Sequence, residues 1–306
     1  MSNSLPARFA QILYDDIFKL VFAAPENRDL LIMLLNLLIP GIDIAEITFL
    51  DKEQHGFAFN EKNCIFDVYC RTQRDERIVV EMQYSSESDF LDRTLFYATY
   101  PIREQLVTGF RDLLRNTARR LLKKKRIRPY RLKPVYVVSI LNFSLQHDAD
   151  TVLEDGLVSR YEIRERSSGE MMTDALHFVF LELGRMTYGA DRPERCQTVL
   201  EKLAFSLKYM RELRQRPDEM LEEIFKRLFD ATELAAMDAV KRKQIDKLMT
   251  TKIDIIAGKI NSYVDGMEVG LEKGREEERQ RIAKELREQG VSEKVIENVI
   301  NKRPNL

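Results

Sequence analysis

Residues 64–84 read CIFDVYCRTQRDERIVVEMQY, two runs rich in β-branched and aromatic residues separated by a polar stretch. Such runs favour strands and the intervening TQRDE favours a turn, so the segment is expected to form a hairpin with strands at Cys64–Cys70 and Arg77–Tyr84. Side chains alternate along a strand. Cys64, Phe66, Val68 and Cys70 then share one face and Ile65, Asp67 and Tyr69 the other, while Val79, Glu81 and Gln83 share a face of the second strand. A turn centred near Arg74 sets Asp67 opposite Glu81, with Cβ atoms about 4.5–5.5 Å apart. Two carboxylates so placed repel unless a cation, a proton or solvent relieves them. A divalent metal does so economically, and Mg2+ suits the pair because it takes oxygen ligands, keeps several waters and is commonly held by carboxylates together with substrate phosphates. The alternative is a polar, hydrated hairpin face with Asp67 and Glu81 offset in register.

Working outward, residues 9–22 carry Phe9, Ile12, Leu13, Ile17, Leu20 and Val21 at helical spacing, and Asn27 is placed to cap a second helix through the run LLIMLLNLLI before Pro40-Gly41. Ile44–Leu50 reads as a strand, Phe90–Leu122 as a helix, residues 134–143 (PVYVVSILNF) as a central strand covered on both faces, and His177–Leu183 as a fifth strand. Strands interrupted by helices argue for an α/β core. From Pro193 to about Val264 the pattern is helical. The charged stretch from Met267 to Gln289 then reads as an exposed helix, with Gly266, Gly270 and Gly274 spaced for close helix approach. The expected organisation is a core domain over 1–190, a helical accessory region over 191–265 and a charged helical tail over 266–306 that pairs copies into a homodimer.

Charge and cysteine usage narrow the functional classes. The 306 residues hold 49 Lys+Arg against 50 Asp+Glu, a balance that hides a strong local excess. Arg111, Arg115, Arg119, Arg120, Lys123, Lys124, Lys125, Arg126, Arg128, Arg131 and Lys133 face only Asp112 within residues 111–133, enough cations to neutralise several phosphates of a duplex. The three cysteines lack CxxC spacing, so reduced packing thiols are expected rather than bridges or a zinc site. The start MSNSLPARFA is not a secretory leader and Leu30–Leu38 is too short to span a bilayer, so a cytoplasmic protein without membrane contact is expected. The three histidines are scattered, and no Gly-rich loop ends in Lys-Ser or Lys-Thr.

Asp67-x13-Glu81-x-Gln83 resembles the active-site pattern of the PD-(D/E)XK nuclease superfamily, in which Asp-x(n)-Glu-x-Lys is carried on adjacent strands. The ordered blocks DDIFKLVF, FDVYC, VVEMQ, DFLDRTLFYATYPI, LKPVYVVSILNF and YEIRERSSGEMMTDALHFVFLEL resemble the branch of Rpn-type recombination-promoting nucleases and transposases, well over residues 10–185 and loosely to about 290. The resemblance implies a restriction-endonuclease-like mixed β-sheet core flanked by helices, with a helical C-terminal region. It also implies Asp67, Glu81 and the backbone carbonyl of Met82 as metal ligands, with Asp15 completing the acidic cluster. Asp67, Glu81 and Gln83 become the catalytic set, with Mg2+ as cofactor and Mn2+ or Ca2+ as alternatives. Lys19, Arg93 and Tyr97 are implied phosphate contacts, joined by the basic-segment residues Arg119, Arg120, Lys123, Lys124, Lys125 and Arg126. Gln83 departs from the superfamily, where Lys is usual: an amide cannot titrate or carry charge, though it can orient water or a phosphoryl oxygen. The expected function is a Mg2+-dependent DNA endonuclease of low sequence specificity acting on duplex DNA in recombination or mobile DNA. The alternative is a catalytically inactive DNA-binding or assembly protein that retains the fold.

Overall fold

A computed structural model describes residues 7–51, 53–54, 64–122, 130–147, 156–234, 247, 263–264, 266–267, 270–271 and 273–300. Two compact units result, Met1–Ala239 and Val240–Leu306. The strands of the first are Ile47–Phe49 (β1), Glu53–Gln54 (β2), Cys64–Ile65 (β3), Val68–Thr72 (β4), Arg77–Gln83 (β5), Val135–Leu141 (β6), Val158–Arg164 (β7) and Met171–Glu182 (β8). Six of them form one mixed sheet in the order β1-β4-β5-β6-β8-β7, while β2 and β3 pair separately. β5, β6 and β8 run parallel at the centre, and antiparallel pairs close both edges. This is the α/β architecture expected of a restriction-endonuclease-like core.

Alternation along β5 distributes its residues to two covers. Ile78, Val80 and Met82 enter the larger core with Phe18 and Phe22 of helix Asp15–Phe22 (α1) and Leu30, Leu34 and Leu35 of helix Arg28–Leu38 (α2). Val79 turns the other way, with Phe66 and Tyr69, against Tyr100 of the long helix Phe90–Leu122 (α3). Helix α3 carries the chain from β5 to the parallel strand β6, a crossover that a two-residue turn cannot make. Helices Val199–Tyr209 (α4) and Glu223–Thr232 (α5) bury Leu203, Phe205, Phe225 and Leu228 in the same core as α1 and α2. In the second unit residues 273–288 and Glu293–Ile300 are helical, and among the described residues nothing beyond the adjoining chain lies within 4 Å of a Cβ added at Gly266, Gly270 or Gly274.

Several expected elements take different bounds. α1 begins at Asp15 rather than near residue 9, because the backbone of 8–10 is drawn into pairing with 232–234: Ala10 N–H donates to Thr232 and Leu234 N–H to Arg8. Asn27 stands before α2 but caps nothing with its side chain; a short 3-10 turn, Pro25–Asn27, leads in instead. β7, whose sequence VSRYEIR places charged residues on an exposed edge, carries too few apolar residues to stand out as a strand, yet it pairs with β8, which itself begins six residues before His177. The helical expectation for 193–264 holds at α4 and α5, while residues 235–246 lie outside those described. Among the described cysteines, Cys70 and Cys196 are free and buried.

Candidate active site

The hairpin forms in the register expected: Val68 faces Val80 and Tyr69 faces Val79, which continues to Asp67 opposite Glu81. The turn closes through Asp75, whose φ of 71° is a left-handed conformation that Asp tolerates better than most residues. The first limb differs from expectation. The strand is interrupted between β3 and β4, so Phe66 joins Tyr69 and Val79 against α3 instead of sharing the face of Val68 and Cys70. Phe66 is fully buried among Tyr69, Tyr97 and Tyr100, and this packing holds the kink immediately before Asp67.

At the interruption, side chains replace the backbone ladder. Asp67 N–H donates to Glu81 Oε1 at 3.3 Å, and Met82 N–H donates to Asp67 Oδ2 at 2.8 Å. Each carboxylate thus serves a backbone donor of the opposite limb, and the two acids are drawn together. The other oxygen of Asp67, Oδ1, lies 2.7 Å from Lys19 Nζ, delivered by α1. Met82's N–H faces the Asp67 limb, and an extended residue presents its N–H and C=O to the same neighbour. The Met82 carbonyl therefore turns toward Asp67, as Gln83's carbonyl turns to the other side to accept from Asn142 N–H at 3.0 Å.

The electrostatics of this pair are unfavourable without a further cation. Both acids are only 6% exposed. Burial raises the pKa of Glu81 well above the carboxylate range, and the charge of Asp67 adds to it; the Asp67 amide, Lys19 and Arg93 pull the other way. Burial likewise raises Asp67 against the opposing pull of Lys19 and the Met82 amide, and Asp15 adds its own negative field. Burial works against the charge of Lys19, but its bond to Asp67 and the fields of Asp67, Asp15 and Asp16 outweigh it, leaving Lys19 raised.

Gln83 is held from α3. Arg93 donates to Gln83 Oε1 at 2.6 Å and to Glu87 Oε2 at 2.5 Å. A guanidinium only donates, so the amide oxygen must face it, and the Gln83 NH2 is left to donate elsewhere. Ser139 stands in register beside Glu81 on β6. It is 1% exposed, and among the described residues its hydroxyl has no hydrogen-bond partner.

The structure thus brings Asp67, Glu81, Gln83, Met82, Lys19 and Arg93 together, with Asp15 close enough to act through its charge. Lys19 and Arg93, expected on phosphate, are engaged by Asp67 and by Gln83 and Glu87. Tyr97 packs edge-on against Phe66. The side chains of Arg119 and Arg120 and the whole of residues 123–126 lie outside the described residues. Among the described residues no group of three or more His, Cys, Asp or Glu is placed to hold a metal ion. Ser139 and the Lys19–Asp67 pairing escaped the sequence reading. The signal for Ser139 was there: a lone hydroxyl in the otherwise apolar strand VYVVSIL.

No curated protein and no solved structure matches the chain. The family model described as PD-(D/E)XK nuclease family transposase matches residues 12–260, a span that contains the sheet, the hairpin acids, Lys19 and Arg93. The chain belongs to the PD-(D/E)XK nuclease family transposases.

Proposed function

We propose that this chain hydrolyses phosphodiester bonds of duplex DNA, with low sequence specificity and with Asp67, Glu81 and the Met82 carbonyl as the ligands of Mg2+. The observation that carries this reading is that each acid accepts from a backbone N–H of the opposite limb, Glu81 from Asp67 and Asp67 from Met82, which holds two buried acids side by side against their mutual repulsion. Nucleases of this family generally use divalent metal ions, and the donors fit one: hard carboxylate and carbonyl oxygens, a surplus of negative charge, and the unpartnered Ser139 hydroxyl beside them. When bound, Mg2+ supplies positive charge that polarises the scissile phosphate and acidifies a water. The chain's own residues do the rest. Gln83, oriented by Arg93, offers its NH2 to the attacking water or a phosphoryl oxygen. Arg93 brings a guanidinium to the same edge, and the cation run over 111–133 holds the flanking backbone, where contacts carry no base information. Water adds to phosphorus as the bond to the leaving oxygen breaks.

Purified protein with Mg2+ is expected to nick or linearise duplex DNA, and Asp67→Asn and Glu81→Gln are expected to abolish the cut; equal cleavage by wild type and both variants defeats the reading. Neutralising Lys123, Lys124 and Lys125 is expected to weaken DNA binding and flatten its salt dependence. An inactive DNA-binding or assembly protein, paired through the C-terminal helices, is favoured by Gln83 at the position usually held by Lys. Its signature is DNA binding indifferent to divalent cation, with no cleavage. A role in recombination or mobile DNA follows the family description, and strand joining alongside cleavage is the assay for it.

A further inference from the structure

Lys19 is turned inward, toward the acids. It comes from α1, which is anchored in the core by Ile17, Phe18, Val21 and Phe22. Its ammonium does not face outward to meet a strand but lies 2.7 Å from Asp67 Oδ1. The second oxygen of Asp67 accepts from Met82 N–H at 2.8 Å, a backbone donor that cannot move aside, whereas Oδ1 faces a side-chain cation that another cation can replace. An ammonium and a dication on the same carboxylate oxygen repel each other strongly in a buried site. The Lys19 side chain is 26% exposed against 8% for Asp67, so the lysine borders solvent while the carboxylate is largely enclosed.

We propose that Lys19 is a resident placeholder cation. It neutralises Asp67 in the metal-free protein, is displaced from Oδ1 when the dication enters, and then turns its charge to the DNA phosphate. The inference rests on the reading of Asp67 and Glu81 as metal ligands and adds to it a competition at one named atom. It also accounts for how the site tolerates Gln83: the mobile positive charge beside the acids arrives from α1, while Arg93 is occupied in setting the Gln83 amide.

Competition has a consequence that a purely structural ion pair lacks. Removing the Lys19 charge must tighten metal binding while weakening the DNA complex. Lys19→Met keeps the aliphatic length without the charge. By calorimetric titration with Mn2+ it is expected to bind metal about tenfold more tightly than wild type, and in Ca2+ to bind a short duplex less tightly, whereas Lys19→Arg retains the wild-type pattern on both. Mn2+ affinity that is unchanged or weaker in Lys19→Met overturns the proposal. Should that variant fail to fold, the wild-type protein answers by itself: reductive methylation of Lys19, read by peptide mass spectrometry, is expected to accelerate when Mn2+ is added. Methylation unaltered by bound Mn2+ overturns the proposal equally. If the wild type binds no Mn2+ at all, the metal-ligand reading falls with the proposal; if the wild type binds Mn2+, Asp67→Asn does not, and Lys19→Met binds it no more tightly than wild type, the metal-ligand reading survives and only the placeholder role is lost.

Discussion

The backbone N–H of Asp67 donates to the carboxylate of Glu81, and the backbone N–H of Met82 donates to the carboxylate of Asp67. The interrupted strand is therefore closed by the acids themselves. Substitutions of Asp67 separate the structural role from the chemical one. Asp67→Asn keeps an oxygen acceptor for Met82 N–H, whereas Asp67→Ala orphans a buried donor at a cost of about 1–3 kcal/mol. Thermal denaturation without metal is expected to show Asp67→Asn near wild type and Asp67→Ala lower by several degrees, with both unable to bind Mn2+.

Glu81 makes the metal-free protein sensitive to pH. Its folded pKa lies above that of the unfolded chain because burial and Asp67 disfavour the anion. The native state therefore holds the extra proton at pH values between the two, and stability falls as pH rises through that window, by about 1.4 kcal/mol for each tenfold difference in acidity between the folded and unfolded carboxyl. Glu81→Gln removes the titration. In the absence of metal its melting temperature is expected to exceed that of wild type at pH 8, with the gap closing as pH falls toward 4. A gap that widens at low pH contradicts this.

Arg93 and Gln83 form one unit, so their substitutions should not add. Gln83→Lys restores the residue usual in the superfamily but sets a second cation against Arg93, now 2.6 Å from the amide oxygen. Gln83→Lys alone is expected to lower DNA cleavage, and Arg93→Ala in the same chain to recover part of it. Coupling in the cycle is expected at about 0.5–3 kcal/mol. Strict additivity of the two rate effects refutes the unit.

Ser139 carries a buried hydroxyl with no partner among the described residues, a cost to the fold that a hydrophobic residue of like size avoids. Ser139→Ala is expected to leave the metal-free protein as stable as wild type or more stable by about 1 kcal/mol. If that hydroxyl meets a water beside the bound ion, the same variant loses part of its Mn2+ affinity by calorimetry. A marked loss of stability without metal shows that the hydroxyl already has a partner.

What was legible in the sequence is local. The alternation of CIFDVYC and RIVVEMQY fixes which face of the second limb is buried, with Ile78, Val80 and Met82 inward, and the short polar turn centred near Arg74 selects the register that sets Asp67 against Glu81, while an offset by two residues stays compatible with the alternation alone. The 33 residues of α3 were readable for the same reason, as one long helical period. What only the tertiary structure decided depends on contacts across long sequence separations. The break before Asp67 exists because Phe66 is claimed by the aromatic residues of α3, against the period of its own strand. β7 is a strand only because β8 offers it an edge. Lys19 meets Asp67 because the packing of α1 on the sheet, which no periodicity encodes, delivers a charge to a buried carboxylate far along the chain.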